Sequence, residues 1–339
     1  MVVSRAVGQG ATPWLRRQLA ALMAHQGHAL LLTGPAGLGQ FALALGLAQT
    51  WLCDQPSPDG ACGHCEGCHG FDVKTHPDLR VLLPETLALD TGWPLDDKTM
   101  GRLERQAAKP SRWIKVEAAR EAVAFTQQTR SRGRTKVVLV FPTERLNTEA
   151  SNTLLKTLEE PPGQVRFVLA TEAGDALLPT LRSRCQTHTM AWPEPAEALA
   201  WLQSQQPGWG ADAGTWLRAA GGRPEEALVW ADLVGSPRTW HGLPAALAQG
   251  DWTALKDWPV DKHMDLLQKL CHDLMALAVG GAPRYFDAHD LPKGPLDMHR
   301  LVAWSVDLRN AAKTMEHPYS PGLMQEAWAE RARTALAVH

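Results

Sequence analysis

Four cysteines that could bind a metal ion lie close together in the first part of the sequence. They are Cys53, Cys62, Cys65 and Cys68, with the spacing Cys-x8-Cys-x2-Cys-x2-Cys. Zn²⁺ prefers four tetrahedral ligands, and a Cys-x2-Cys step lets one turn present two sulfurs to the same ion. The spacing therefore predicts a zinc site within residues 53–68, and a structural one, because four thiolates leave no open coordination position.

Three alternatives to this zinc site stay open from the sequence. Four cysteines can also hold an iron–sulfur cluster, His64 or His69 could replace one thiolate, and two disulfides could form in an oxidising compartment. We favour zinc, because nothing else in the sequence indicates electron transfer and the clustering is untypical of a secreted disulfide scaffold. Gly60, Gly63 and Gly67 give this segment the backbone freedom to wrap around an ion.

A glycine-rich turn after an apolar run has the outline of a phosphate-binding P-loop without its charges. In such a loop bare amides cradle phosphates, a lysine reaches the β and γ oxygens, and a following hydroxyl binds Mg²⁺. Here Gly34, Gly37 and Gly39 are present, but Gln40 and Phe41 occupy the lysine and hydroxyl positions. The turn could still bind an anion through its amides. Nucleotide hydrolysis is not expected, and nucleotide binding itself is in doubt.

A second apolar run, residues 136–141, lacks acidic residues where nucleotide hydrolases need them. In such enzymes a later strand ends in carboxylates that hold Mg²⁺. This run ends in Phe141, Pro142 and Thr143, and the first carboxylate is Glu144. Because two separate sites have lost the same chemistry, we favour a nucleotide-hydrolase fold without catalysis over a chance glycine-rich turn.

The elements that would position these residues alternate between strand and helix. Apolar runs predict strands over residues 29–33, 136–141 and 165–170, and helical spacing predicts helices over residues 40–51 and 148–160. Strands that are apolar on both faces and separated by helices predict an α/β fold with a covered parallel sheet.

Two other regions depart from this alternation. Residues 85–112 show no period, so we expect an irregular inserted loop. After Trp192 the strand signals end, and the rest of the sequence is typical of helices, with most of its tryptophans in the core.

Composition and charge narrow the class of protein. The 339 residues suggest two or three domains. With 34 basic and 36 acidic side chains, the formal net charge is −2, which argues against nucleic-acid binding over the whole surface. No apolar stretch approaches the length of a membrane span, and no signal peptide is recognised. We expect a soluble, cytoplasmic, multidomain protein.

With both motifs in view, the sequence resembles the delta prime subunits of bacterial DNA polymerase III clamp loaders, which are members of the AAA+ superfamily. The resemblance is dense over about residues 10–190 and thin afterwards. The segments that carry it are residues 28–34, the four cysteines, His76-Pro77-Asp78, residues 114–117 with Arg120, residues 152–162, and Ser183-Arg184-Cys185.

The resemblance implies both an architecture and an assembly. It implies an AAA+ P-loop module over residues 1–190 with the zinc-binding insertion at 53–68, a small helical lid over 191–236, and a helical collar over 237–339. It further implies a hetero-pentamer with gamma/tau and delta subunits that loads the sliding clamp onto primer-template DNA. Gamma/tau subunits hydrolyse ATP, whereas delta prime subunits do not.

The resemblance also gives a role to Ser183, Arg184 and Cys185. In clamp loaders this motif reaches the nucleotide of the neighbouring subunit, so Arg184 is expected to act in trans as an arginine finger. A guanidinium suits this role because it is permanently charged and forked. Cys185 is expected to pack as a small apolar residue.

A basic run precedes the second predicted strand and consists of Arg130, Arg132, Arg134 and Lys136. It could contact the DNA backbone, but a solvated loop is the favoured interpretation. Two rival functions are kept: an active gamma/tau-type ATPase, which would need Gln40 to replace a lysine, and a standalone zinc-stabilised DNA-binding protein.

Overall fold

The computed structural model divides into two compact units, with the boundary between Glu194 and Pro195. The residues it describes are 12–25, 27–105, 108–132, 134–294, 296–315 and 321–336.

The first unit is built on a five-stranded parallel sheet. Its strands are β1 (Ala29–Thr33), β2 (Leu79–Leu82), β3 (Lys136–Val140), β4 (Val165–Thr171) and β5 (Gln186–Thr189). They lie in the order β2-β3-β4-β1-β5, so the three strongly apolar strands are central. This confirms the predicted parallel sheet and all three predicted strands. The edge strands β2 and β5 were not predicted.

Helices connect these strands and cover the sheet. They are α1 (Pro13–Met23), α2 (Gln40–Leu52), α3 (Glu66–Asp72), α4 (Glu85–Thr91), α5 (Asp97–Glu104), α6 (Val116–Gln127), α7 (Thr148–Glu159) and α8 (Pro179–Arg182). Helix α2 is buried nearly all round, as its apolar sequence predicted. The Asn147 side chain caps α7 by accepting a hydrogen bond from the N–H of Ala150 at 2.7 Å.

The irregular loop predicted for residues 85–112 is wrong over the described part of that segment, which contains α4 and α5. The buried Glu85 carboxylate fixes the segment by accepting hydrogen bonds from Arg102 Nη2 at 2.6 Å, Lys115 Nζ at 2.8 Å and the N–H of Ser111 at 2.8 Å. Burial raises the pKa of Glu85, but these three donors outweigh it, so the pKa lies below its usual value. The order comes from charges distant in sequence, which periodicity does not show.

Among its described residues, the second unit contains helices and no strand. Its helices are α9 (Pro195–Gln205), α10 (Asp212–Ala219), α11 (Pro224–Val234), α12 (Pro237–Ala248), α13 (Val260–Ala278), α14 (Met298–Thr314) and α15 (Pro321–Leu336). Trp216, Trp230 and Trp240 are almost fully buried, which confirms that tryptophans contribute to this core. The division of this unit into lid and collar stays a prediction. Among the described helices, none is long and apolar enough to cross a membrane.

Candidate functional site

The glycine-rich turn between β1 and α2 has a backbone that needs its glycines. Gly37 and Gly39 have φ values of +85° and +87°, in the left-handed region that side chains other than glycine rarely adopt. A Cβ atom on Gly34 would lie 2.9 Å from the Cβ of Met190, which is too close for van der Waals contact. The loop shape predicted from the sequence is therefore present, and α2 begins at Gln40 directly after it.

The Gln40 side chain folds back into this turn instead of facing a ligand. Its Nε2 donates hydrogen bonds to the carbonyl oxygens of Gly34 at 2.6 Å and Pro35 at 2.8 Å, and the residue is only 2% exposed. At the position where an ATPase has a lysine, the turn thus holds a neutral amide whose donors are used internally. The side chain of Gln40, the first residue of α2, thus closes the turn.

Phe41 and Phe141 replace further polar groups of a nucleotide hydrolase with an apolar contact. Phe41 follows Gln40 on α2, and Phe141 follows the last residue of β3. Their rings stack with centroids 4.8 Å apart and an interplanar angle of 16°, and both side chains are buried. Neither ring offers an oxygen to a magnesium ion.

Glu144, the first carboxylate after β3, is engaged with the end of β4. Its Oε2 accepts a hydrogen bond from Thr171 Oγ1 at 2.7 Å, and its Oε1 accepts one from the N–H of Glu172 at 3.1 Å. Both oxygens therefore hold the neighbouring strand end. This arrangement agrees with the absence of a dedicated magnesium-binding carboxylate in the sequence of β3.

Arg184 lies just after α8 and is anchored on one side. Its Nε and Nη2 both contact Oε2 of Glu159 at 3.1 Å, and its Nη1 donates to the carbonyl oxygen of Thr180 at 2.8 Å. A guanidinium has five N–H donors. These contacts leave one N–H on each Nη atom without a partner among the described residues, so the side chain is oriented but can still bind an acceptor.

The two residues beside Arg184 are structural in their contacts. Ser183 Oγ donates a hydrogen bond to the carbonyl oxygen of Thr180 at 3.2 Å. Cys185 packs against the apolar core under the sheet, and burial raises the pKa of its thiol to about 12. A thiol with that pKa is protonated at neutral pH and is a poor nucleophile or metal ligand.

The four clustered cysteines converge, and all of their sulfurs lie within 4.8 Å of one another. Two of the separations are 3.8 Å, between Cys53 and Cys65, and 4.0 Å, between Cys62 and Cys68. Four sulfurs at about 2.3 Å around a tetrahedral Zn²⁺ are about 3.8 Å apart. This group of side chains could therefore hold one metal ion.

Each of the four sulfurs also accepts a backbone N–H. Five hydrogen bonds are formed, from the N–H of Cys62 to Cys53 Sγ at 3.3 Å, of Cys65 to Cys62 Sγ at 3.4 Å, of Cys68 to Cys65 Sγ at 3.3 Å, of Asp54 to Cys65 Sγ at 3.4 Å, and of Gly63 to Cys68 Sγ at 3.4 Å. Such bonds stabilise thiolates. The backbone N–H of His64 contributes most to lowering the pKa of Cys62 to about 6, whereas burial raises the pKa of Cys53 and Cys68.

Two glycines allow the cysteine segment to fold this tightly. Gly63 has a φ of +78°, and a Cβ on Gly67 would lie 2.6 Å from the carbonyl oxygen of Leu52. His64 Nδ1 bonds to the carbonyl oxygen of Cys62 at 2.9 Å, so that nitrogen is engaged with the backbone.

The basic run predicted before β3 divides into buried and exposed residues. Lys136 is only 2% exposed, and its Nζ donates to the carbonyl oxygen of Phe125 at 2.8 Å. The inclusion of Lys136 in this run is therefore wrong, because a buried side chain belongs neither to a solvated loop nor to a DNA-facing surface. Arg130, Arg132 and Arg134 are exposed, as a solvated loop requires.

This loop is tied to the cysteine segment. Arg132 forms an ion pair with Glu66, the first residue of α3. The fully buried Asp78 carboxylate accepts the backbone N–H groups of Ser131 and Arg132 at 2.8 and 2.9 Å. The loop over residues 130–132 is thus held from two directions.

Comparisons with known proteins agree with the resemblance seen in the sequence. A family model described as "DNA polymerase III, delta subunit" matches residues 14–193. DNA polymerase III subunit delta' of Pseudomonas aeruginosa is 34% identical over 330 residues, covering 89% of this chain and 87% of the relative. The chain belongs to the DNA polymerase III delta' family. Family membership confirms the predicted resemblance, and the parallel sheet covered by helices confirms the predicted α/β fold class.

Two further relatives show where the similarity lies. DNA polymerase III subunit delta' of Escherichia coli is 35% identical over 252 residues, covering 72% of this chain and 68% of the relative. DNA polymerase III subunit tau of Salmonella typhimurium is 33% identical over 165 residues, which is 48% of this chain and 22% of the relative. The delta' relatives are thus similar over more of the chain than this tau relative.

Sequence reasoning missed two contacts that shape these sites. It found that Gln40 stands where a P-loop has its lysine, but it did not predict that the Gln40 side chain bonds to the turn. It also did not predict the contact between Glu159 and Arg184. The opposite charges of Glu159 and Arg184 were visible, but they are 25 residues apart and β4 lies between them. Only the folded chain brings them together.

Proposed function

We propose that the chain is the non-hydrolysing delta' subunit of a DNA polymerase III clamp loader. It would assemble with gamma/tau and delta subunits in a hetero-pentamer that places the sliding clamp on primer-template DNA in the cytoplasm. Similarity to delta' relatives over most of the chain supports this assignment. The observation that carries the non-hydrolysing role is the Gln40 amide bonded within its own turn.

The closed turn argues against an active gamma/tau-type ATPase. A lysine at this position would supply a charge-assisted contact with phosphate worth about 1.5–3 kcal/mol, and Gln40 has no charge to supply it. Both N–H donors of Gln40 Nε2 are used by the carbonyl oxygens of Gly34 and Pro35, so neither is left for a phosphate oxygen. The Phe41–Phe141 stack adds no magnesium ligand. Gln40 could therefore not take over the role of the lysine, because it carries no charge and its amide donors are already bonded.

Arg184 is proposed to act on the nucleotide of a neighbouring gamma/tau subunit. An arginine finger supplied in trans stabilises charge on the transferred phosphoryl group and accelerates hydrolysis by about 10³–10⁵-fold. Glu159 and Thr180 fix one side of the guanidinium. An N–H on each Nη atom remains to meet phosphate oxygens.

The four cysteines are proposed to hold a structural Zn²⁺. The sulfur separations of 3.8 and 4.0 Å fit one tetrahedral ion and exceed the S–S bond length of about 2.0 Å in a disulfide. Sulfurs this close together surround a single ion more readily than a cluster of several irons and sulfides. Bound zinc would cross-link the segment over residues 53–68 and take no part in hydrolysis.

The rival function as a standalone DNA-binding protein finds little support in the basic run. Lys136 is buried and Arg132 is paired with Glu66. A direct DNA contact of Arg130, Arg132 or Arg134 is therefore not part of the proposed function.

Reconstitution tests the proposal. ATP hydrolysis would be measured for the purified full chain alone, for gamma/tau with delta, and for the three together with clamp and primed DNA. We expect no ATP hydrolysis by the chain alone. We expect the sliding clamp to be loaded onto primed DNA only when the chain is present. Hydrolysis by the chain alone, or full loading without it, would contradict the proposal.

A further inference from the structure

A groove of about 650 Å³ lies between α13 and α14 in the helical unit. Most of the side chains that line it are apolar, and none of them is a carboxylate. The thiol of Cys271 on α13 donates a hydrogen bond to the carbonyl oxygen of Leu301 on α14 at 3.5 Å, which joins the two walls. The lining residues include Cys271 and Met275 on α13, Val279 directly after it, and Met298, Leu308 and Arg309 on α14.

Helix α14 carries two apolar stripes, and only one of them is buried. Leu301, Trp304 and Leu308 pack into the core of the unit. Val302 and Val306 lie one turn apart beside this stripe and are 45% and 40% exposed. A helix that packs on one neighbour needs a single apolar stripe and has polar residues elsewhere. The second stripe therefore indicates a contact that the described part of the chain does not itself provide.

The exposed valines extend the groove into a wider apolar surface. Val302 follows Met298 by four residues, so the two side chains are neighbours on the helix. Val306 likewise precedes Arg309 by three residues. Val279, at the other wall, is 73% exposed. Single exposed valines are ordinary on a protein surface, whereas several beside an apolar groove mark an interaction site.

The unpaired charges beside the groove are positive. Arg309 lines it, and Lys313 follows one turn later on α14. Both side chains are exposed, and neither forms an ion pair with any of the described residues. His272, which also lines the groove, is engaged through Nδ1 with Oδ1 of the buried Asp273 at 2.9 Å. A partner that covers the groove would therefore meet two cations, and carboxylates on the partner would complement them.

We propose that this groove binds an amphipathic helix of a neighbouring clamp-loader subunit, with Asp or Glu side chains of that helix opposite Arg309 and Lys313. Helices dock into apolar grooves through anchors spaced three or four residues apart. The apolar contact excludes water, and the charges at its edge set the orientation of the partner. The neighbour is supplied by assembly with gamma/tau and delta subunits, so the docking site rests on the proposed function.

Binding of the full chain to gamma/tau and to delta, measured separately, tests this docking site. We expect Val302→Asp to weaken binding to one of the two subunits by about tenfold or more, because it places a charge in the apolar contact. Val229→Asp is the matched control, because Val229 is exposed on another helix of the same unit, and both affinities should stay unchanged. Thermal unfolding should be close to that of the wild type for both variants, since neither valine is buried.

A charge reversal tests whether the partner is acidic. Arg309→Glu should weaken the same affinity by about fivefold or more, Arg309→Lys should retain it, and added salt should weaken binding of the wild type more than binding of Arg309→Ala. Unchanged affinity of Val302→Asp for both subunits, or tighter binding by Arg309→Glu, would overturn the docking site.

Two further outcomes separate the docking site from the proposed function. Self-association of the wild-type chain that Val302→Asp abolishes would overturn the docking site, because a second copy of the chain would then cover the groove. Failure of the wild-type chain to bind either subunit would overturn the proposed function as well. Assembly that Val302→Asp leaves intact would overturn the docking site alone.

Discussion

Two segments of the first unit that the family resemblance links to nucleotides have opposite arrangements of their polar groups. In the turn before α2, Gln40 donates inward to two carbonyl oxygens and is buried. After α8, Arg184 is held by Glu159 and the carbonyl oxygen of Thr180, and it keeps N–H groups without a partner among the described residues. The donors of Gln40 are used within the turn, whereas Arg184 keeps N–H groups that an external acceptor could meet.

The contrast separates the shape of a nucleotide site from its chemistry. The left-handed glycines and the start of α2 maintain the loop without any charge. Hydrolysis in nucleotide hydrolases depends on a few charged side chains. At the corresponding positions this chain has the internal hydrogen bonds of Gln40 and the stacking of Phe41 on Phe141. Under the proposed function, such a chain would assemble with an ATPase subunit and would not hydrolyse ATP itself.

The largest expected effect comes from Arg184→Ala in the reconstituted complex. We expect assembly to persist and ATP turnover at the neighbouring site to fall about 10³-fold, because the transferred phosphoryl group loses its guanidinium. Steady-state ATPase assays with size-exclusion analysis of the complex measure both. Arg182→Ala is the matched control, because Arg182 is exposed nearby and should leave turnover unchanged; unchanged turnover in Arg184→Ala would refute the finger role.

Glu159→Ala sharpens the comparison by removing the anchor of Arg184. A partly exposed ion pair contributes about 0.2–1 kcal/mol, so we expect kcat of the complex to fall by no more than about fivefold. Glu160→Ala serves as the control. In a double-mutant cycle, Glu159→Ala should add nothing to Arg184→Ala; an additive loss would show that Glu159 acts independently of the guanidinium.

Gln40→Ala tests the other side of the comparison, where stability rather than turnover should change. Two carbonyl oxygens of the turn lose their donor, so we expect the free energy of unfolding of this unit to fall by about 1–3 kcal/mol. Thermal unfolding and the ATPase assay of the complex check the two expectations. ATP hydrolysis by the isolated variant would show that the turn is blocked by Gln40 alone.

Cys65→Ser should have the smallest effect on turnover. We expect one zinc fewer per chain and faster amide exchange over residues 53–72, with ATP turnover of the complex nearly unchanged. Metal analysis and hydrogen exchange measure these. His64→Ala should retain the zinc; loss of zinc in that variant would favour the alternative in which a histidine replaces one thiolate.

The sequence predicted the centre of the fold better than its edges. Strands β1, β3 and β4 are buried on both faces and were found within one residue of their ends, because continuous apolar runs mark them. Strand β5 has the polar sequence Gln-Thr-His-Thr at an edge, and β2 has only four residues, so neither gave a clear pattern. The order around Glu85 arises from partners 17 to 30 residues away.

In the candidate sites, as in the fold, features that are local in the sequence were predicted and contacts between distant residues were not. The spacing of residues in the sequence was enough to find the four cysteines, because all four lie on one short segment. The positions of Gln40 and Arg184 were found from motif register, but their hydrogen-bond partners were not.

Glu66 lies between Cys65 and Cys68 in the sequence and forms an ion pair with Arg132. The Asp78 carboxylate accepts the backbone N–H of the same arginine. The proposed zinc ion would therefore also influence an exposed turn that lies outside its coordination sphere. Loss of the proposed ion would loosen Glu66 first and, through their ion pair, the exposed Arg132.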